Sequence, residues 1–337
     1  MTKSRARQTG SKVLVAFLLF LVPLFGRPTP AGAAPEVVAT IPPLHSLAAG
    51  VMAGTGAPHL LVAGAASPHD YVLRPSDARA LAGARLVVWA GPTVETFLAR
   101  SLTTLAPDAA VLQLLALPGL HLPPGEAEAD AHEDGHGHED EDEEEEHEGH
   151  ADDDDHDHDH GHAHDDDRDP HAWLDPANAR LLTAAIAAAL ARIDPANADL
   201  YRKNATELSA RLAALDSDLA ARLAPVAGRP FVVFHDAYRH LAGRYGLGPV
   251  IPVTAVPSRP LSPRQLIAIR EAIRARGVRC LFAEPQFGDR ALAAIARDTG
   301  ATVARLDPLG AALTPGPGLY EALMRANAAA LTGCLDG

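Results

Sequence analysis

Short runs of β-branched and aromatic residues recur along the chain, and longer stretches rich in alanine and leucine separate them. The runs are apolar throughout, which is typical of strands buried on both faces of a parallel sheet. Six are clearest: EVVAT (36–40), HLLVAG (59–64), RLVVWAG (85–91), FVVFHD (231–236), RCLFAEP (279–285) and ATVARLDP (301–308). We therefore predict an α/β fold built from strand–helix units.

One long helical pattern interrupts this alternation at residues 194–224. Asp194 and Pro195 suit the N-cap and the first position of a helix. About 29 helical residues would span roughly 44 Å, which is longer than a crossover helix within one domain needs. We predict a stiff helix that joins an N-terminal lobe, residues 35–193, to a C-terminal lobe, residues 225–337. Its leucines keep one face: Leu200, Leu208, Leu212, Leu215, Leu219 and Leu223.

Residues 1–34 have the pattern of a secretory signal peptide. Basic residues precede the apolar run VLVAFLLFLVPLF, and the small-residue stretch AGAA follows it. The apolar run is too short to span a bilayer comfortably, and no cysteine follows it to carry a lipid. We expect a cleaved leader and a periplasmic protein.

The formal charge of −14 is concentrated in one segment. Residues 126–169 contain 24 of the 43 acidic residues and one of the 29 basic residues. The remainder is close to neutral and has no basic stripe or aromatic ladder, so we expect no nucleic-acid partner.

Eleven of the seventeen histidines lie in a segment, residues 121–169, that we call the insert. It has almost no apolar residues, so we predict that it is disordered without metal. Different pairs of imidazoles would bind metal ions in turn, each only weakly. The alternative is that the insert is a solvated acidic linker without a role in metal binding. The histidines are His121 and the auxiliary candidates His132, His136, His138, His147, His150, His156, His158, His160, His162 and His164.

The two cysteines, Cys280 and Cys334, are predicted to form a disulfide, since an exported protein meets oxidising conditions. The bond would tie a C-terminal helix to a core strand. A dithiolate metal site is the alternative, but it would favour closer spacing such as CxxC.

A selective metal site needs ligands on rigid elements, and three of the other histidines meet that condition. His235 ends a predicted strand, His69 follows one, and His171 directly precedes a helix. Imidazoles from two lobes would suit Zn²⁺. A structural role is the alternative for each, and we expect that role for His45, His59 and His240.

Carboxylates also lie near these positions. Asp307 and Glu284 end predicted strands in the C-terminal lobe and are candidate further ligands. A helix N-cap is the alternative role for Asp307. Asp70 and Asp236 adjoin the candidate histidines and could instead orient them.

Six ordered motifs carry a resemblance to a known family: SPHDYVLRPSDARAL, LVVWAGPTVETFL, DPHAWLDPANAR, FVVFHDAYRHLAGRYGL, LFAEPQF and LDPLG…TPGPGLY. From about residue 36 to its end, the chain resembles the periplasmic zinc-binding receptors of ABC uptake transporters, the ZnuA type among metal-binding solute receptors. The resemblance implies two α/β lobes joined by a long rigid helix, with metal bound in the cleft between them.

The resemblance also implies a ligand set. Three histidine ligands match His69, His171 and His235, and a fourth aspartate ligand matches Asp307. Manganese-binding relatives have glutamate at the third position, so histidine there favours zinc. Pro68 stands where some zinc receptors have glutamate, which leaves Asp307 or a water for the fourth position.

We therefore predict a monomeric, non-enzymatic receptor that delivers Zn²⁺ to the membrane permease of an ABC importer. A periplasmic zinc buffer or chaperone is one alternative. A zinc hydrolase is another, but we see no HExxH helix and no convincing general base beyond Glu284.

Overall fold

Four strands and their covering helices form the N-terminal lobe. The computed structural model describes Thr2 and residues 34–123, 169–254 and 261–337. Most of the predicted leader and of the predicted insert lies outside these residues. The elements are β1 (Val37–Ala39), α1 (Pro42–Val51), β2 (His59–Leu60), α2 (Pro75–Gly83), β3 (Leu86–Trp89), α3 (Ala99–Leu105), β4 (Ala110–Gln113) and α4 (Pro176–Ile193).

A long helix, α5 (Ala198–Leu223), leads to the C-terminal lobe. That lobe contains β5 (Phe231–His235), α6 (Arg239–Tyr245), β6 (Val250–Thr254), α7 (Pro263–Arg276), β7 (Cys280–Ala283), α8 (Arg290–Thr299), β8 (Thr302–Arg305) and α9 (Leu319–Leu335). None of these helices is both long enough and apolar enough to cross a membrane.

Both sheets are parallel throughout. Their strand orders are β2-β1-β3-β4 and β6-β5-β7-β8. In the centres of the sheets, Val38 pairs with Val87 and Val232 pairs with Leu281, and all four side chains are buried. The predicted α/β fold, with two lobes that each contain a parallel sheet, is confirmed.

Each of the six predicted strands is present. The structure has two further strands, β4 and β6, that the sequence did not predict. Both lie at a sheet edge. The β6 segment contains Pro252, which has no amide hydrogen and is tolerated at an edge. The β4 segment contains Val111, which is half exposed. Neither segment has the unbroken apolar pattern of a central strand.

The predicted linking helix is confirmed, with a different start. A 3₁₀ turn, Pro195–Asn197, precedes α5, and Asp194 makes no capping bond. Its carboxylate accepts hydrogen bonds from the Tyr201 hydroxyl at 2.7 Å and the Asn197 side-chain amide at 2.8 Å. The 26 residues of α5 span about 39 Å.

One hydrophobic core extends through both lobes, and a second, smaller cluster that includes Val232 and Leu281 lies within the C-terminal lobe. The shared core includes Val87 of the first sheet, Phe282 of the second and the buried leucines of α5, such as Leu212. In α1, Gly50 lies so close to α5 that a Cβ atom there would be 2.9 Å from the Leu208 side chain. The lobes are therefore packed together and not merely tethered by α5.

Buried hydrogen bonds also connect the lobes. The backbone N–H of Tyr320, in α9, donates to the Ser46 hydroxyl at 3.0 Å. The Tyr320 hydroxyl donates to the carbonyl of Trp173 at 2.7 Å, and the Trp173 indole donates to the carbonyl of Pro308 at 2.8 Å. Each bond joins the N-terminal lobe to the C-terminal lobe close to the cleft.

The predicted disulfide is present. Cys280 begins β7 and Cys334 lies in the last turn of α9, with 6.0 Å between their Cα atoms. The bond fastens the C-terminal helix to the second sheet.

Replacing both cysteines with alanine is expected to lower the free energy of unfolding by about 2–4 kcal/mol, because the bond closes a long loop in the unfolded chain. Cys280 and Cys334 are 54 residues apart in the sequence, and this separation sets the length of the closed loop. Urea unfolding, with chemically reduced wild type as the control, measures the change. Equal stability of the oxidised and reduced proteins would contradict this prediction.

Candidate metal centre

Three histidines meet between the lobes, each at the end of a regular element. His235 is the last residue of β5. His171 immediately precedes a 3₁₀ turn, Ala172–Leu174, that leads into α4. His69 lies in the loop between β2 and α2. The carboxyl end of a parallel strand and two loops at the cleft therefore supply the imidazoles.

The three imidazoles are spaced as the ligands of one ion would be. The Nε2 atom of His171 lies 3.3 Å from that of His69 and 3.2 Å from that of His235. Two nitrogens bound tetrahedrally at zinc distances lie about 3.3 Å apart. One ring nitrogen from each histidine lies within 4.8 Å of the other two, and no other such group of metal-binding side chains occurs in the described ranges.

Carboxylates hold two of the rings by their other nitrogen. The Nδ1–H of His171 donates to Asp169 at 2.6 Å, and the Nδ1–H of His235 donates to Glu284 at 2.8 Å. A donated Nδ1–H leaves the lone pair on Nε2, the nitrogen that faces the other rings. Asp169 and Glu284 are themselves buried. Both rings are thus oriented for metal binding.

These partners differ from those that the sequence suggested. Asp236 instead pairs with Arg239, whose Nε lies 2.9 Å from its carboxylate. Asp70 is exposed. Glu284, a candidate ligand, directs its carboxylate to Nδ1 of His235. The carboxylates that bond the Nδ1 atoms of His171 and His235 are therefore those of Asp169 and Glu284, and not those of Asp70 and Asp236, for which orientation was one of two candidate roles.

Asp307 lies outside the three-histidine group. Its Oδ1 accepts from the backbone N–H of Leu309 at 2.9 Å and from the Gln286 amide at 3.0 Å. Its Oδ2 accepts from the backbone N–H of Ala311 at 2.6 Å. The carboxylate therefore organises the loop after β8, which resembles the capping role considered as its alternative.

Burial lowers the pKa of two of the three imidazoles, those of His69 and His171. Burial, together with the neighbouring His171 and His235, lowers the pKa of His69 to about 3. Burial likewise lowers the pKa of His171, although Asp169 opposes this. Burial alone would raise the pKa of Asp169, but the charges and hydrogen bonds of His171, together with His240, hold it at about 2.

The other structured histidines have different surroundings. His45 is buried and its Nε2 lies 3.1 Å from the carbonyl oxygen of Pro58. His240 is buried and its Nε2 lies 2.9 Å from the carbonyl oxygen of Asp169. His59 is exposed at the start of β2. None of the three belongs to the group formed by His69, His171 and His235.

The two ends of the predicted insert lie in the folded lobe. The backbone N–H of His121 donates to Asn178 at 2.7 Å, and its Nδ1 contacts Asp175 at 2.7 Å. Asp169 is buried beside His171. The histidines from His132 to His164 lie outside the described residues.

Fold and site together define a two-lobed α/β protein with a three-histidine cluster suited to one metal ion in its interlobe cleft. Sequence comparison identifies the family. The chain belongs to the ZnuA family, zinc-uptake complex component A, periplasmic, whose model matches residues 37–334. The resemblance inferred from the six motifs is confirmed.

Individual relatives agree with this assignment. The high-affinity zinc uptake system protein ZnuA of Brucella suis biovar 1 is 45% identical over 312 residues, which cover 91% of this chain and 93% of that protein. The protein of that name from Paracoccus denitrificans is 46% identical over 302 residues, covering 89% and 92%. A crystal structure of ZnuA matches with a TM-score of 0.70 at 25% identity and covers 90% of this chain and 99% of that chain.

Replacing His69 with glutamine is expected to make the metal-free protein less sensitive to acid. The unfolded chain protonates this histidine near pH 6.5, whereas the folded protein does so near pH 3. Between these values the unfolded state binds more protons, so the free energy of unfolding decreases as the pH falls. The contribution is at most about 1.4 kcal/mol per pH unit.

Urea unfolding with EDTA, from about pH 7.5 to about pH 5, measures this slope. His59→Gln is the matched control because His59 is exposed. Identical slopes for wild type and His69→Gln would show that His69 does not stay neutral in the folded protein.

Proposed function

We propose that this protein is a periplasmic receptor that binds Zn²⁺ through His69, His171 and His235 and delivers it to the permease of an ABC importer. The observation that carries the proposal is the convergence of three imidazoles from two lobes, with Nε2 of His171 3.3 Å from that of His69 and 3.2 Å from that of His235. Membership of the zinc-uptake family supports both the ion and the transport role.

The donor set favours zinc over harder ions. Three neutral imidazoles suit a borderline ion such as Zn²⁺, whereas Mn²⁺ and Mg²⁺ favour carboxylates, carbonyls and water. The nearby carboxylates of Asp169 and Glu284 are used as acceptors for Nδ1–H groups. The bound ion would therefore have imidazole nitrogens as its protein ligands.

A water is the fourth ligand in this proposal, and Asp307 supports the loop that borders the cleft. Both Asp307 oxygens already accept hydrogen bonds from that loop and from Gln286. Using this carboxylate as a ligand would remove acceptors from partly buried donors.

Release would occur through local movement. The lobes share one core and several buried hydrogen bonds, so a large hinge opening would expose much apolar surface. His69 lies on a loop and is less buried than His171 and His235. Its loop is the part of the site that we expect to move first when the receptor docks on the permease.

The leader and the insert have separate roles in this proposal. Residues 1–34 direct export and are removed, and the mature receptor is a monomer. The histidines between His132 and His164 collect zinc weakly and raise its concentration near the cleft.

A hydrolytic role has less support. An open zinc position could hold a water nucleophile, but such a reaction also needs a general base. Glu284 was the one candidate in the sequence, and its carboxylate is hydrogen-bonded to His235. Appreciable ester or phosphoester turnover by the zinc-loaded protein, abolished by His235→Ala, would favour the enzyme over the receptor.

His235→Ala is expected to weaken zinc binding by more than about 100-fold, since loss of an outer hydrogen-bond partner alone typically costs 10–100-fold. Competition titration with a zinc chelator measures the affinity. His59→Ala is the control, because it removes an exposed imidazole that lies outside the group. Equal affinities of the two variants would refute the proposed site.

Deletion of residues 126–168 is expected to leave one tight zinc-binding event and to remove the weaker ones. Leu122 and Asp169, close to the two ends of the deletion, line the same cavity, so a short linker can join them. Isothermal titration calorimetry separates tight from weak binding. Disappearance of the tight event would show that the insert supplies the main site.

A further inference from the structure

Asp169 has more contacts at the site than a ligand partner needs. It lies two residues before His171, and it is 3% exposed. One oxygen, Oδ1, accepts from both the backbone N–H of His171 at 2.9 Å and its Nδ1–H at 2.6 Å. These bonds fix the position and the tautomer of one proposed zinc ligand.

The rest of Asp169 is bonded to the opposite lobe. Its Oδ2 accepts from the backbone N–H of Arg239, the first residue of α6, at 2.9 Å. Its carbonyl oxygen lies 2.9 Å from Nε2 of His240, the next residue in that helix. A single residue of the N-terminal lobe thus bonds a proposed ligand and two adjacent residues of the C-terminal lobe.

Glu284 provides a comparison within the same site. It accepts from the backbone N–H of His235 at 3.2 Å and from Nδ1–H at 2.8 Å, which matches how Asp169 holds His171. Glu284 and His235 belong to neighbouring segments of one lobe, since β5 pairs with β7. The bonds between Glu284 and His235 therefore orient a ring without joining the lobes.

A local displacement of the His171 segment from helix α6 would move His171 away from His235. That movement requires the bonds from Arg239 and His240 to break, and it leaves a buried carboxylate with fewer donors. Breaking hydrogen bonds to a buried charged group is more costly than breaking bonds between neutral groups. The contacts of Asp169 consequently oppose the motion that frees the ion.

We propose that Asp169 is a positioning residue that latches His171 to helix α6 and thereby sets the rate at which the bound zinc ion leaves. The proposal rests on the proposed function, since it concerns release from the same site. It predicts that zinc release is limited by the interlobe bonds of Asp169, in addition to the strength of the metal–imidazole bonds.

Two amide variants distinguish a role of Asp169 in holding His171 to helix α6 from a role in orienting the His171 ring alone. Asp169→Asn and Glu284→Gln each keep one acceptor oxygen for an imidazole Nδ1–H. In Asp169→Asn, however, an NH₂ group then faces the N–H of Arg239, and two donors cannot bond. We expect zinc to dissociate at least about tenfold faster from Asp169→Asn than from Glu284→Gln, measured by mixing the zinc-loaded full chain with an excess of a coloured chelator.

A third variant leaves the carboxylate of Asp169 unchanged. His240→Leu removes the bond to the Asp169 carbonyl oxygen and keeps the hydrogen bonds of the Asp169 carboxylate to His171 and Arg239. A latch predicts dissociation a few-fold faster than in wild type, whereas orientation of His171 alone predicts no change. Asp236→Asn, which alters an outer pair with Arg239, is the control and should release zinc at the wild-type rate.

Amide hydrogen exchange at Arg239 in the metal-free protein tests the contact itself. Faster exchange in Asp169→Asn, with no change in Glu284→Gln, is the expected result. Equal dissociation rates for the two amide variants, a wild-type rate for His240→Leu, or unchanged exchange at Arg239 would overturn the latch. Failure of the wild type to bind zinc tightly would instead overturn the proposed function, and the exchange measurement would still test the latch.

Discussion

The whole arrangement depends on bringing three imidazoles from separate parts of the chain together, with Nε2 of His171 at 3.3 Å from that of His69 and 3.2 Å from that of His235. Such a cluster is stable without metal only if the rings stay neutral, since three buried cations would repel one another strongly. Burial provides this condition by lowering the pKa of His69 and His171. The same burial prepares the rings to bind metal without first losing protons.

The spacing is maintained because the lobes share one core. Helix α5 lies within that core, and the bonds of Tyr320 and Trp173 cross between the lobes beside the cleft. A protein of this construction cannot use a wide hinge without exposing much of its interior. Local changes at the loop of His69 and at the contacts of Asp169 are smaller, and they alter the ligand geometry directly.

The sequence was sufficient for the central strands and the three histidines, because uninterrupted apolar runs and their carboxyl ends are visible along the chain. It was not sufficient for the edge strands β4 and β6, where partial exposure and Pro252 interrupt that pattern. The orienting carboxylates were also missed. Successive side chains of an extended segment face opposite ways, so Asp236 cannot share the direction of His235. Glu284 reaches that ring only because β7 lies beside β5.

The balance of charge explains why the site can use neutral ligands alone. Zn²⁺ bound by three imidazoles would bring two positive charges into a poorly solvated cleft, and a buried charge must be compensated nearby. The carboxylates of Asp169 and Glu284 can supply two negative charges, each at hydrogen-bond distance from a ligand ring. Because Asp169 and Glu284 would compensate the charge of the ion through the histidine rings, Asp307 is not needed for this purpose and can organise its loop. In the proposed site, these two carboxylates would contribute to zinc binding although neither would touch the ion.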